Sequence, residues 1–291
     1  MKRSCTLLIF ISILLAGCIK EDFSSCPTGI KVYFTYEGIG ASAVDRLNLY
    51  AFEESTGILR AMEEDVSPIL SSSYFMTINN LSPGVYSLVA WGGLHGDYTS
   101  DPAKFNIGET TFEEIKVVLN HQGEVSHTIG HLFHAGPKQA VVTDAREQRF
   151  YLPLVQNTNT VNLTTEGLPE NQEAYHVHIH DNNNKYNFDN SIAESSNFKY
   201  TASCLRDTQG QPAACLRVLK LASGRNVTLE LHNTTTGICR YRANLIELLD
   251  ARAVDYDMQS EFDIHLRFNT DMSVDVMVDN WQVTENGMIL K

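Results

Sequence analysis

Hydrophobic and polar positions alternate along most of this chain. Lys31-Val32-Tyr33-Phe34-Thr35-Tyr36 is dense in β-branched and aromatic residues. Leu47, Leu49 and Ala51 alternate with Asn48, Tyr50 and Phe52, and residues 85–91 follow a Ser82-Pro83-Gly84 turn. Later segments are more regular: residues 227–232, residues 262–268, and residues 273–276 with Val278 on the same apolar face. Period-two alternation gives one buried face and one wet face, as in antiparallel sheets packed as a sandwich. Turn signals recur at Asn79-Asn80, at Asn182-Asn183-Asn184 and at Ser223-Gly224-Arg225-Asn226. Helix is scarce. The spacing of Leu245, Leu248, Leu249 and Arg252 predicts one over 243–254, and residues 110–115 add a turn. The pattern therefore predicts an all-β protein of two antiparallel β-sandwich domains with few short helices. Residues 121–142 interrupt the strand pattern and a new strand begins near Gln148. The division is expected near residue 145, giving an N-terminal domain over 29–145 and a C-terminal domain over 146–291.

The start of the chain does not follow this pattern. Lys2 and Arg3 precede an apolar run of about ten residues, well short of the roughly 20 that span a bilayer as a helix. The run closes on Leu15-Ala16-Gly17-Cys18, which resembles a bacterial lipobox. Residues 1–17 are then a lipoprotein signal peptide, Cys18 carries the lipid, and residues 18–28 form a polar tether. Cys18-Ile19-Lys20-Glu21-Asp22 is similar to the lysine-plus-acidic signal that sends lipoproteins of Bacteroidetes-type bacteria to the outer cell surface.

Composition narrows the picture further. Of 291 residues, removal of 17 leaves about 274, enough for two domains of ordinary size. The net charge of −13 falls to about −15 without Lys2 and Arg3. Such a surface does not attract nucleic acid. Six cysteines are present. Cys5 leaves with the signal and Cys18 takes the lipid, so Cys26, Cys204, Cys215 and Cys239 remain, with three pairings open. Cys204 and Cys215 flank a hairpin turn over 206–212, which favours a disulfide between them; Cys26 with Cys239 follows by elimination.

Candidate chemistry is sparse. His176, His178 and His180 share one strand face, and imidazoles so placed can hold zinc. The same alternation puts Tyr175, Val177 and Ile179 on the buried face, so the histidines read as the wet face and no metal is expected. His121, His127, His131 and His134 form a second group, but Gly130, Gly136 and Pro137 oppose the helix that would gather them. Gly38-x-Gly40-x-x-Ala43 fits a loose dinucleotide fingerprint, yet a strand rather than a helix is expected next. No catalytic residue or cofactor is assigned, and the chain is not expected to be an enzyme. Tyr33, Tyr36, Trp91 and Trp281 could stack sugars, but read first as core or edge residues.

Taken in order, several segments resemble the Bacteroidales fimbrial anchor-subunit family. These are Leu15-Ala16-Gly17-Cys18 with Cys26-Pro27, Leu47-Asn48-Leu49-Tyr50-Ala51-Phe52 through Gly57, and Pro83-Gly84-Val85-Tyr86-Ser87-Leu88-Val89-Ala90-Trp91. Leu152-Pro153-Leu154-Val155-Gln156-Asn157-Thr158 continues the match, although an arginine often stands where this chain has Gln156. Leu216-Arg217-Val218-Leu219-Lys220-Leu221 and Val278-Asp279-Asn280-Trp281 complete it. The resemblance implies two transthyretin-like β-sandwiches in an outer-membrane lipoprotein, exposed at the cell surface. It implies an anchor at the base of a fimbria that ends the fimbria's growth and joins shaft subunits by strand addition. An anchor that keeps its first strand, here including residues 31–36, has no open groove; the donor strand is expected within 279–291. A fimbrial shaft or tip subunit is the alternative, with a cut after Arg46 giving a chain that starts at Leu47. A glycan-binding surface lipoprotein is a further alternative.

Overall fold

The computed structural model describes residues 29–36, 44–145, 147–168, 173–193, 195–271 and 273–283; for 281–283 only the backbone is described. In the first half the strands are β1 (Gly29–Tyr36), β2 (Leu47–Glu53), β3 (Leu59–Asp65), β4 (Phe75–Asn79), β5 (Gly84–Gly92), β6 (Tyr98–Asp101), β7 (Lys116–Leu119), β8 (Glu124–Val125), β9 (Phe133–Val142) and β10 (Glu147–Gln156). The second half adds β11 (Thr158–Glu166), β12 (Tyr175–Asp181), β13 (Lys185–Asn187), β14 (Phe198–Ser203), β15 (Leu205–Arg206), β16 (Pro212–Leu219), β17 (Thr228–Asn233), β18 (Cys239–Asn244), β19 (Glu261–Phe268), β20 (Val274–Val278) and β21 (Trp281–Val283). The chain is all-β, as its alternation predicts. Helix α1 (Leu245–Ala251) is shorter than the expected 243–254. Asn244 caps it, its side-chain oxygen accepting from Ile246 N at 3.0 Å and Glu247 N at 3.3 Å. Ala253 turns to a positive φ of 55°, which ends the helical path.

The first sandwich is built from one sheet folded over at β10. Its strand order is β3-β2-β5-β9-β10-β1-β4. Strand β10 meets β9 through just Val155↔His134 and Gln156↔Phe133, whereas it pairs in parallel with all of β1, from Gly29↔Glu147 to Tyr36↔Leu154. The fold encloses a core. Ile30, Val32 and Phe34 of β1, Met76 and Ile78 of β4, and Leu152 and Leu154 of β10 pack with Leu47, Leu49, Leu88, Ala90 and Val142. The expected division at 145 thus falls just before a strand that completes the first core. Asn157 alone separates β10 from β11. It is fully buried, and its backbone N–H donates to Leu132 O at 2.6 Å while its own carbonyl accepts from Lys220 N at 2.9 Å.

The second sandwich packs a six-stranded sheet, β15-β16-β11-β19-β20-β21, on a five-stranded one, β18-β17-β12-β14-β8. Val161, Leu163, Phe262, Ile264, Leu266 and Val276 face Tyr175, Val177, Ile179, Tyr200, Leu229 and Leu231. A small sheet, β13-β7-β6, joins the halves. Beside it Tyr50, Phe52 and Trp91, on the face of β2 and β5 opposite the first core, meet Phe188, Phe105 and Phe112. Tyr50 and Phe188 have ring centroids 5.0 Å apart, and Phe52 and Phe112 5.2 Å. Strands β2 and β5 are therefore buried on both faces.

Strand β9 occupies part of the segment where the sequence breaks its pattern. Its register against β5 shifts between Leu88 and Ala90, and Gly136-Pro137 fills that bulge. Proline cannot donate to a ladder and is tolerated there. Gly136 takes a φ of 97°, and a Cβ at that position would stand 2.4 Å from Leu88 O. These two residues hide the strand from a reading by periodicity.

Candidate functional site: the terminal strands and the histidine face

Strand β1 has a partner on each edge, β10 in parallel and β4 antiparallel. Alternation sends Ile30, Val32 and Phe34 inward, and leaves Lys31 and Tyr33 on the outer face. On that outer face Tyr33 stacks on Tyr151 with ring centroids 5.3 Å apart and lies 5.2 Å from Phe75. The Lys31 Nζ stands 5.0 Å over the Phe75 ring. Tyr151 is 56 % exposed, so this aromatic row is open to solvent. Arg46, the expected cleavage point of a shaft subunit, precedes β2 and pairs with Glu64 at 2.7 Å.

At the other end of the chain β20 turns into β21 through Asp279-Asn280. Both residues have positive φ, 48° and 65°, the mark of a tight hairpin turn that matches strand twist. The Asp279 carboxylate fixes the turn: Oδ1 accepts from Asp263 N at 3.0 Å, and Oδ2 from Gln259 Nε2 at 2.7 Å. Residues Trp281–Val283 pair antiparallel with β20 from Val278↔Trp281 to Val276↔Val283. So 279–283 of the expected donor is engaged within its own sheet, and 284–291 lie outside the described residues. Gln259 also lines a cleft of about 230 Å³ with Tyr36, Leu154, Gln156 and Tyr256. The end of β1 and the brace of the last turn thus share one cleft.

The histidine strand is organised as its alternation predicts. Tyr175, Val177 and Ile179 are buried, and His176, His178 and His180 share the outer face. The neighbouring strands place more on that face than periodicity revealed. Glu230 lies opposite both His178 and Arg242, and His232 lies opposite Cys239. His232 Nε2 donates to Glu230 Oε2 at 2.7 Å, and His180 Nε2 lies 3.2 Å from that oxygen. Burial raises the Glu230 carboxyl pKa, but the hydrogen bonds of His232 and Arg242 and the charge of His180 outweigh it, leaving it below the usual range. Burial, with Lys199 and His232 beside it, pushes His178 down to about 4. The sequence offers Cys239 only as the partner left for Cys26 by elimination; its place beside His232 depends on a bulge that no spacing announces.

Cys204 and Cys215 are free thiols rather than a disulfide. The hairpin pairs Leu205 with Ala213, so residue 204 falls opposite 214 and the two cysteines sit one step out of register. Cys204 packs on the second core, and that burial pushes its thiol up to about 12. His121, His127, His131 and His134 are dispersed: His127 pairs with Asp97 at 2.7 Å, His121 meets Asn184, and His134 is buried beside Trp91. Trp91 is fully buried and cannot stack a sugar. Cys18, Cys26 and the Gly38–Gly40–Ala43 pattern lie outside the described residues.

These features define a class first: an all-β protein of two sandwiches in which the N-terminal strand is locked inside its sheet. A family model described as fimbrillin-A associated anchor proteins Mfa1 and Mfa2 matches residues 23–287, and the chain belongs to that family. It is 27 % identical over 274 residues to the minor fimbrium anchoring subunit Mfa2 of Porphyromonas gingivalis, covering 87 % of this chain and 83 % of the relative. The solved structure of the fimbrial anchor protein Mfa2 from P. gingivalis superposes with a TM-score of 0.75 at 24 % identity, over 89 % of this chain and 100 % of that one. A candidate polysaccharide-binding protein from Bacteroides thetaiotaomicron shares the fold with a TM-score of 0.77 at 20 % identity, over 90 % of this chain and 100 % of that one.

Proposed function

We propose that this chain is the anchor at the base of a fimbria, a surface lipoprotein held in the outer membrane by a lipid on Cys18. It joins fimbrial shaft subunits by strand addition and ends the fimbria's growth; its role is structural rather than catalytic. The observation that carries the reading, beside family membership, is β1. With β10 on one edge and β4 on the other, the first strand leaves no groove there for a neighbour's strand. Such a subunit can donate but not accept, which is what terminates a polymer. The donor is then the segment beyond Val283. Deleting residues 284–291 should release fimbriae into the medium while the truncated chain stays in the membrane fraction. Fimbriae retained at the wild-type level would overturn the strand-donor part of the reading. Mass spectrometry of the mature N-terminus tests the rest: an acylated Cys18 is expected, whereas a chain starting at Leu47 would mark a polymerising shaft subunit.

The Tyr33–Phe75–Tyr151 row favours one second reading, glycan binding on the outer face of the first sandwich. Aromatic faces in a solvent-open row can stack on sugar rings. Glycan-array binding that disappears with Tyr33→Ala and Tyr151→Ala would support it; binding unchanged by both would end it.

A further inference from the structure

We propose that the outer face of the second sandwich holds a zinc-type divalent cation between Glu230, His232 and Cys239, with water completing the shell. The proposal is independent of the anchoring role. It rests on three observations. First, a carboxylate oxygen of Glu230, a ring nitrogen of His232 and Cys239 Sγ lie within 4.8 Å of one another. One carboxylate, one imidazole and one thiol form a mixed O, N, S donor set of the kind that suits zinc better than calcium or magnesium.

Second, the backbone is adjusted to bring Cys239 to this face. The β17–β18 register shifts between Leu231 and His232, so that Leu231 pairs with Tyr241 but His232 pairs with Cys239. Without that shift His232 would face residue 240. A bulge re-aims a side chain, and this one sets the thiol beside the imidazole. Third, the carboxylate is already oriented. Arg242 Nε and Nη2 both lie 2.6 Å from Glu230 Oε1, which leaves Oε2 facing the histidines. Glu230 is buried, its side chain 8 % exposed. An oriented carboxylate held by a charged neighbour is the usual support behind a metal ligand.

In the structure His232 Nε2 hydrogen bonds with Glu230 Oε2 at 2.7 Å, and Cys239 Sγ donates to the backbone carbonyl of Tyr241 at 3.1 Å. Two ligand atoms about 2.0–2.1 Å from one tetrahedral ion stand about 3.3 Å apart. The ion therefore enters by opening the His232–Glu230 bond by about half an ångström. Its entry displaces the thiol proton to solvent and moves the proton that His232 Nε2 donates to Glu230 over to Nδ1, which frees Nε2 for the ion.

The test uses the full chain, stripped of metal with a chelator and equilibrated with zinc chloride or cobalt chloride. We expect one zinc per chain, a raised melting temperature, and a near-ultraviolet thiolate-to-cobalt charge-transfer band. Cys239→Ser should abolish that band, and Cys239→Ser and His232→Gln should each weaken zinc at least about 10-fold; Arg242→Ala should weaken it about 10-fold through the freed carboxylate. Cys204→Ser and Cys215→Ser should leave binding unchanged, which separates this site from the remaining thiols. Zinc binding of equal affinity in Cys239→Ser and His232→Gln would overturn the site. So would the absence of a thiolate band in a wild-type chain whose Cys239 reacts with a thiol reagent, or a Cys239 locked in a disulfide in protein taken from cells.

Discussion

In the first sandwich the strand nearest the N-terminus, β1, runs inside its sheet between β10 and β4. In the second, the strand nearest the C-terminus, β21, lies at the edge of its sheet and, among the described strands, pairs with β20 on one side. The burial of the strands differs in the same sense. Strands β12 and β19 are wet on one face, whereas β2 and β5 are covered on both, by the first core and by the aromatic cluster around Phe188. The first sandwich is thus braced from outside at β2 and β5, while the second keeps a polar histidine face on β12.

The comparison can be broken at the brace. Trp91 sits between the sandwiches, fully buried against His134, Tyr186 and Phe188. Trp91→Ala should cost about 3–5 kcal/mol and broaden or split a denaturation transition that is otherwise shared, which chemical denaturation would read. His134 comes next. Burial pushes its pKa down to about 4 from 6.5, so the folded protein favours the neutral ring. That contribution is present above the unfolded value and is lost as the pH falls from about 6.5 toward 4, where the native state must take up a proton it resists. Roughly 3 kcal/mol should disappear over that window, and His134→Leu should flatten the loss in unfolding curves taken across the pH range. Asn244→Ala removes the cap of α1 and should cost about 1 kcal/mol in the second sandwich only, seen as a shifted melting temperature. Tyr151→Ala, on the open face of the first, should change stability by no more than about 0.5 kcal/mol. A larger loss there would mean that the exposed row is part of the scaffold.

The same asymmetry explains what the sequence discloses. Strands with one wet face are legible: Phe262 to Phe268 and Tyr175 to Ile179 alternate and fold as they read. Leu47 to Phe52 also alternates, but Tyr50 and Phe52 belong to a second buried face, and nothing local says that Phe188 will cover them. Strand β9 is masked by Gly136-Pro137, whose bulge is a matter of pairing with β5. The polar character of the histidine face is legible. The meeting of His232 with Cys239 is not, because it depends on a one-residue shift between two strands. The Cys204–Cys215 pairing is misread for a related reason: the turn between them is visible, but a step of one in register sends their side chains apart.

The parallel pair β1–β10 has a mechanical consequence. Its ladder runs from Gly29↔Glu147 to Tyr36↔Leu154, and the chain leaves β10 through Asn157, at the end away from Gly29. A pull between Gly29 and Asn157 therefore acts along the strands, from opposite ends of the pair. The hydrogen bonds are sheared together instead of being peeled one by one, so the load is divided over the whole ladder. A hairpin such as β20–β21, pulled at its free end, would open bond by bond. The arrangement of β1 makes the first sandwich a lengthwise clamp, strongest along the line joining its first strand to the rest of the chain.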